Sequence, residues 1–418
     1  MKIAYIVDVF PNLSSDTFIL NQITGLMDRG CEVDIYARMA QTQSQLQPDV
    51  KKYNLLARTF YFEAMPVHRL QIALKAMSLV YRNFHKNREA VLQSLNIFRF
   101  GKDVFTFKLL YSIIPFLDKG PYDIIHCHFG PNGDVGATLK ILGVFKSKLI
   151  TTFHYYDIQL ALDEGAGIYD RLFKEGDLFL SIGNDNYRKF ISFGLDKKKI
   201  INHPVGVDLT KFHYRPQSKD FIDARPLKLL TVARLVRVKA LENGIRAIHK
   251  LLQECPNLEL EYDIIGDGYL REELNKLIQD LSLENIVRLV GPKDQNQVME
   301  AMGESHIFIL PSNNEATPVV LMEAQAVGLP VLATAVGDVK EVIVNEKSGF
   351  CVPPGDVDAL TGKLKYLINH PETWAAMGKI GRKHIEDKFD VNKLNDRLLD
   401  VFKQVIDGDM WKTDKTYS

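Results

Sequence analysis

The sequence predicts an α/β protein built from two doubly wound domains in tandem, and three observations carry that prediction. Short apolar runs alternate with segments of helical periodicity in both halves of the 418 residues. That is the rhythm of parallel strands covered on both faces by helices. The rhythm lapses near Pro204–Arg225, where Pro204, Gly206, Pro216 and Pro226 cluster. The length also suits two domains, each able to bury a core of its own.

The elements follow in order. Ile3–Val7 is a first strand, joined by a Pro/Ser loop to a helix over 17–29 that Gly30 stops; Glu32–Ala37 is the next strand. Later come strand Ile124–Cys127, a helix near 133–143, and strands Leu149–Thr152 and Leu178–Ile182. In the second half, strand Leu227–Ala233 precedes a helix near 241–254, and strand Leu258–Ile265 precedes a helix near 268–281. Strand Val287–Leu289, a helix near 294–302 and strand Ile307–Leu310 follow, then a further helix and the strands Val331–Thr334 and Gly349–Val352. Amphipathic helices over 357–369, 371–388 and 391–407 close the chain. Residues 56–116 interrupt the pattern with helical segments that mix aromatic and basic side chains.

Bulk properties exclude several classes. With 52 basic against 52 acidic residues, no global field argues for nucleic acid. Cys31, Cys127, Cys255 and Cys351 are scattered without a CxxC pair, as expected of reduced thiols in a cytosolic protein. The run Lys2–Val7 meets Asp8 at once, which makes it a strand and not a signal peptide. No run approaches the roughly 18 apolar residues needed to span a bilayer.

Chemistry concentrates in Asn314–Ala324. Glu315 and Glu323 lie eight residues apart with a helix start between them. Thr317 is suited to cap that helix and Pro318 to its first turn. Glu323 then falls roughly 7.5 Å along the helix axis. The positive pole of the helix, flanked by two carboxylates, suits an anion with hydroxyls on either side. A nucleotide-sugar has that form, with its sugar at Glu315, diphosphate at the helix start and ribose at Glu323. Upstream, Arg234 and Lys239 end a strand and can bracket a diphosphate, Arg by forking onto two oxygens and Lys as a point charge.

These residues carry a resemblance. Glu315 and Glu323 match the Glu-x7-Glu motif of the retaining GT-B glycosyltransferases of group one, and the likeness is strongest from Pro204 to Pro354. The segment Phe10–Ile23, with its Phe10-Pro11 and Thr17-Phe18, more narrowly resembles the colanic-acid-type exopolysaccharide glycosyltransferases. The resemblance implies GT-B architecture, two Rossmann-like domains facing a cleft. Residues 1–205 would form the acceptor domain, carrying the basic helical insertion at about 56–116. Residues 206–390 would form the donor domain, and 391–418 a helix crossing back to the first.

It also implies roles. Glu315 and His154 would act on the donor sugar. Arg234, Lys239, Thr317, Pro318 and Val319 would hold the diphosphate, and Glu323 the ribose hydroxyls. Gly266 would line the nucleotide site and Pro292 the edge where the base rests. Asp16, Thr17 and His128 would face the acceptor, with Asp157 serving substrate or a helix cap. Three family glycines are replaced here, by Ala240 after Lys239, by Ala316 after Glu315 and by Tyr155 after His154. No metal or other cofactor is required, since no carboxylate–x–carboxylate pair stands where a metal-bound diphosphate would need one.

The expected activity is a retaining sugar transfer from a nucleoside diphosphate sugar, UDP by family frequency, to a glycan or polyprenyl-linked acceptor in exopolysaccharide biosynthesis. A GT-B epimerase or phosphorylase, or a nonenzymatic nucleotide-sugar-binding protein, is the alternative. A Rossmann oxidoreductase lacks support, because Gly266-Asp267-Gly268 continues to Arg271 without the third glycine. The insertion from His68 to Lys108 has eight Lys/Arg against two acids. It is either a basic surface for peripheral association with the cytoplasmic membrane face or a solvated helix face packed on its domain.

Overall fold

In each of the two sheets the central strands are buried on both faces, which is why they read as continuous apolar runs. The structure, a computed structural model, describes residues 1–11, 17–40, 47–216, 218–222 and 224–408, without the side chains of Asp103, Lys219 and Asp220. Asp16 therefore lies outside the described residues. The chain divides into two compact units, Met1–His203 with Asn395–Ser418, and Pro204–Leu394. The second division falls inside the Val391–Asp407 helix.

The first unit holds a parallel sheet of β1 (Lys2–Phe10), β2 (Glu32–Ala40), β3 (Thr59–Tyr61), β4 (Ile124–His128), β5 (Lys148–Phe153), β6 (Leu178–Ser181) and β7 (Ile200–Asn202), in the order β3-β2-β1-β4-β5-β6-β7. Alternation along β1 serves two cores. Ala4 and Ile6 join Tyr36, Ile125 and Phe116 on one face. Ile3, Tyr5 and Val7 join Val33, Ile35 and Ile150 on the other. That second core takes in Leu398, Val401, Phe402 and Val405, one face of the closing helix.

The second unit holds β8 (Leu227–Val232), β9 (Leu260–Ile265), β10 (Val287–Gly291), β11 (Ile307–Leu310), β12 (Val331–Thr334) and β13 (Gly349–Val352), parallel in the order β10-β9-β8-β11-β12-β13. Leu229, Ile264 and Ile309 face one core, and Leu230, Ile265 and Phe308 the other.

In both sheets the strand order reverses at the centre, between β1 and β4 and between β8 and β11. Open α/β sheets offer their ligand crevice at the carboxyl ends of strands at such a switch point.

Several expectations need correction. The insertion is not wholly helical, because β3 pairs with β2 at the sheet edge. The helix expected near 133–143 starts at Gly130, directly after β4. The helix expected near 268–281 runs only Arg271–Asp280, since Leu270 and the turn before it bond back to Leu235. Residues 371–388 are a short 3-10 turn at Pro371–Thr373 followed by Trp374–Lys388.

Candidate active site

In the second unit the switch point brings the predicted donor residues to neighbouring strand ends. β8 runs into Arg234 and a 3-10 turn at Arg237–Lys239. β11 runs into the loop that carries Glu315. The two loops are laced by backbone, for the Asn313 N–H donates to the Val238 carbonyl at 2.8 Å. Lys239 Nζ then lies 2.6 Å from Glu315 Oε1, and Ser312 Oγ donates to the same oxygen at 2.7 Å. Glu315 is only 8% exposed. Its Oε2 has no partner among the described residues, so one oxygen is held while the other is left for a ligand hydroxyl.

Arg234 is exposed and carries no acidic partner among the described residues. Arg237, three residues on, lies 3.4 Å from Glu273. The free guanidinium at the strand end is therefore Arg234. Ala240 holds a left-handed conformation at φ 44° and is fully buried, a position where glycine would carry no steric cost.

The helix after Glu315 spans Val319–Val327. Its N-cap is Pro318, at φ −75° and ψ 100°, and no side chain caps it. This corrects the expectation for Thr317 and Pro318. The Thr317 hydroxyl is drawn to Asp338 Oδ2 at 3.4 Å, and Pro318 stands one position before the first turn. The first N–H groups of the helix are left without a side-chain acceptor, an arrangement that suits an anion.

Glu323 is the fifth residue of this helix. It has no hydrogen bond or ion pair among the described residues. Burial without a compensating charge raises its carboxyl to about 7, although the side chain keeps partial access to solvent.

Two glycines set the backbone behind these groups. Gly266, at φ 142°, packs so tightly that a Cβ would sit 1.9 Å from the Ala233 carbonyl oxygen. Gly266 therefore props the strand end before Arg234. Gly337, at φ 51°, stands against the Glu315 carbonyl, 1.8 Å from where a Cβ would be. Beside it the Asp338 N–H donates to the Ala316 carbonyl at 3.0 Å. Pro292 is exposed in the loop after β10. Ser312, Gly337 and Asp338 are absent from the sequence reading. Their only sequence signal is position, at the ends of β11 and β12.

In the first unit, β4 and β5 end in histidines. His128 Nδ1 lies 3.1 Å from His154 Nε2, His128 Nε2 lies 3.0 Å from Gln22 Oε1, and the Tyr5 hydroxyl donates to that same Gln22 oxygen at 3.0 Å. His126 Nε2 bonds the Thr152 hydroxyl at 2.8 Å. Burial pushes His126, His154 and His203 down to about 3 and His128 well below its usual value, so all four rings are neutral near pH 7.

His128 and Asp157, expected on the acceptor side, are both buried. His128 is 1% exposed and stacked on Tyr5. Asp157 is fully buried and accepts the Gly130 N–H and the His154 N–H, each at 2.7 Å. It ties together the starts of the helices Gly130–Ile141 and Tyr155–Glu164, which is the helix-cap duty expected as its alternative role. Burial still raises its carboxyl to about 7 against the lowering effect of those N–H groups. His154 is 6% exposed, against Phe18 and Phe129. Thr17 opens the helix Thr17–Asp28 half-buried.

Among the described residues no group of three or more His, Cys, Asp or Glu is placed to hold a metal ion. No described helix is long and apolar enough to cross a membrane.

Comparison with known proteins adds to this geometry. Residues 216–384 match the model for glycosyl transferases group 1, and residues 15–211 that for glycosyltransferase family 4. Over 414 residues the chain is 33% identical to a putative colanic acid biosynthesis glycosyltransferase, WcaL, of Escherichia coli K12, covering 96% of this chain and 100% of that one. It is 32% identical over 425 residues to the amylovoran biosynthesis glycosyltransferase AmsK of Erwinia amylovora, covering 97% and 100%. Among solved structures, Anabaena Alr3699/HepE in complex with UDP superposes with a TM-score of 0.68 at 16% identity, over 97% of this chain and 100% of that one. That likeness concerns the fold alone, which is GT-B.

Proposed function

The chain belongs to the group 1 glycosyltransferases, and from that premise we propose that it moves a sugar from a UDP-sugar to a hydroxyl of a glycan or polyprenyl-linked acceptor, with retention, in exopolysaccharide biosynthesis. The two similar biosynthetic transferases support the pathway class, and the UDP complex of a structural neighbour supports the nucleotide. A lipid-linked acceptor would bring the enzyme to the inner face of the membrane.

One observation carries the reading. At the switch point of the second sheet stand an unpaired Arg234, a Glu315 with one oxygen held by Lys239, an uncapped helix start, and an unpaired Glu323. The helix start and Arg234 would hold the diphosphate, with the Lys239 charge shared between it and Glu315. Glu323, when ionised, would accept the ribose hydroxyls. Glu315 Oε2 would accept from a sugar hydroxyl and favour positive charge at the anomeric carbon. As the bond from that carbon to the phosphate oxygen breaks, the acceptor oxygen bonds the carbon from the vacated face, and its proton passes to the departing diphosphate. The fixed cation and helix dipole stabilise the growing negative charge without reorganising.

The test is transfer from a panel of UDP- and GDP-sugars, with the anomeric configuration of the product read by NMR. A UDP-sugar should be consumed and the donor configuration kept. Arg234→Ala should lower kcat/KM by about tenfold or more, the loss of a charge-assisted fork. Arg237→Ala, already spent on Glu273, should change it by less than about threefold. An inverted product, or equal losses in the two variants, would sink the corresponding part of the reading.

A further inference from the structure

The insertion carries an apolar surface that the catalytic reading does not use. Among the described residues, ten of the twenty-one exposed large apolar side chains fall between Met65 and Phe105. Exposed apolar residues are normally scattered, and a concentration of them marks a contact site. Val67 is 92% exposed, Tyr81 87% and Phe98 100%.

The helix Arg69–Asn83 shows how the surface is built. Ala76, Leu79 and Asn83 are its buried side. Leu70, Leu74, Met77 and Tyr81 are exposed and recur at spacings of four, three and four, a single stripe on the opposite side. The helix is thus apolar on two faces, and only one is covered by its own domain. Beside the stripe opens a pocket of about 680 Å³ lined by Ala76, Met77, Val80, Phe84, Leu95 and Phe107. That is within the roughly 300–1,000 Å³ typical of small-molecule sites.

Charge selects the occupant. Lys75 and Lys86 are paired with Glu63 and Asp118. Arg69, Arg82, Lys102 and Lys108 are exposed and have no acidic partner among the described residues. In a chain with equal numbers of acids and bases, these free cations fall in the same stretch of sequence as the apolar stripe, and Arg69 and Arg82 sit on the stripe's own helix. An anionic bilayer complements both, offering phosphates to the cations and chains to the stripe.

We propose that the segment Met65–Lys108 docks on an anionic phospholipid bilayer, with Leu70, Leu74, Met77, Tyr81 and Phe98 among the lipid chains, the free cations at the headgroups, and one lipid chain entering the pocket. This rests on the reading above only in that a lipid-linked acceptor gives the docking a purpose.

The experiment is flotation of the full chain with vesicles of phosphatidylcholine alone or with about a third phosphatidylglycerol, enough charge to attract a basic segment. UDP titration of the same samples separates docking from donor binding. The wild type should float with the anionic vesicles and much less with neutral ones. Leu70→Gln with Leu74→Gln and Tyr81→Gln, all surface changes, should cut anionic binding about tenfold or more, as should Arg69→Ser with Arg82→Ser. UDP affinity should stay unchanged in both. A Phe98→Trp reporter should shift to the blue and be quenched by lipids brominated along their chains. Absence of wild-type flotation, or no loss in the stripe variant, would overturn the proposal. So would a stripe variant that dissociates a dimer of the free protein without altering vesicle binding. Vesicle binding without any UDP binding would sink the donor reading and leave the docking surface intact.

Discussion

Gln22 sets the protonation of a ring it never touches. Its Oε1 can only accept, so the Tyr5 hydroxyl and His128 Nε2 must both donate to it. His128 is neutral, so its Nδ1 becomes the acceptor, and His154 Nε2 must carry the proton between the two rings. His154 is thereby fixed as the Nε2–H tautomer. Gln22→Leu should release it. The ring ¹⁵N shifts of His128 and His154 should then report mixed tautomers, and turnover should fall roughly tenfold with little change in KM. Gln22→Glu, which still accepts from both partners, should restore the pattern. Unmixed tautomers in the Leu variant would dismiss the relay. At this scale the sequence points to Arg234 and Lys239, and to Glu315 and Glu323, because the meaning of each pair lies in its spacing along one stretch of chain, the first after β8 and the second around the helix start after β11. It misses Gln22, whose partners come from β1 and β4 and share no local pattern with it.

At the scale of the element, loops set by glycine backbone aim the site. A Cβ on Gly337 would collide with the Glu315 carbonyl, and one on Gly266 with the Ala233 carbonyl; both positions also hold positive φ. Neither neighbour is a flexible side chain that can step aside. Gly337→Ala and Gly266→Ala should each destabilise by about 2 kcal/mol or more, but their functional signatures should differ. Moving Glu315 should lower kcat while nucleotide affinity holds, since Arg234 follows β8 and Glu323 is carried by the helix Val319–Val327 beyond the Glu315 loop. Moving the Arg234 loop should weaken UDP binding. Binding titrations and turnover on both variants decide it, and matching profiles would show that the two loops shift as one body. Element boundaries are where sequence reasoning slips. Thr317 has the composition of a cap, but Asp338, 21 residues later, takes its hydroxyl at 3.4 Å. Strands β3 and β7, three residues each, are too short to show an alternation.

For the whole molecule, the two-domain rhythm is legible because the central strands of a parallel sheet, covered on both faces, are apolar throughout. The distribution of charge burial between the units is not legible, since it depends on which strand ends lie under helices. It has a consequence for acid stability. In the first unit His126, His128, His154 and His203 are all held neutral by burial, with folded values far below the usual 6.5. Below that pH the unfolded chain takes up protons that the folded chain refuses, so their contribution to stability is full above about 6.5 and is lost as pH falls. Asp157 works the other way. Its carboxyl is raised to about 7, so ionisation costs stability as pH climbs from 3.8 toward 7, and acid returns it. Four groups oppose one, and the first unit loses on acidification. In the second unit, burial lowers His306 and His384 and raises Glu323 to about 7, so the opposing effects are closer to balance. Between pH 7.5 and 5.5 the melting transition of the first unit should therefore fall on the order of 5 °C or more, and that of the second by less. Hydrogen exchange on peptides from β4 and β5 against β11 and β12 separates the two. His203→Gln should lessen the first unit's drop, whereas equal acid shifts in both units would mean that the buried histidines do not govern its stability.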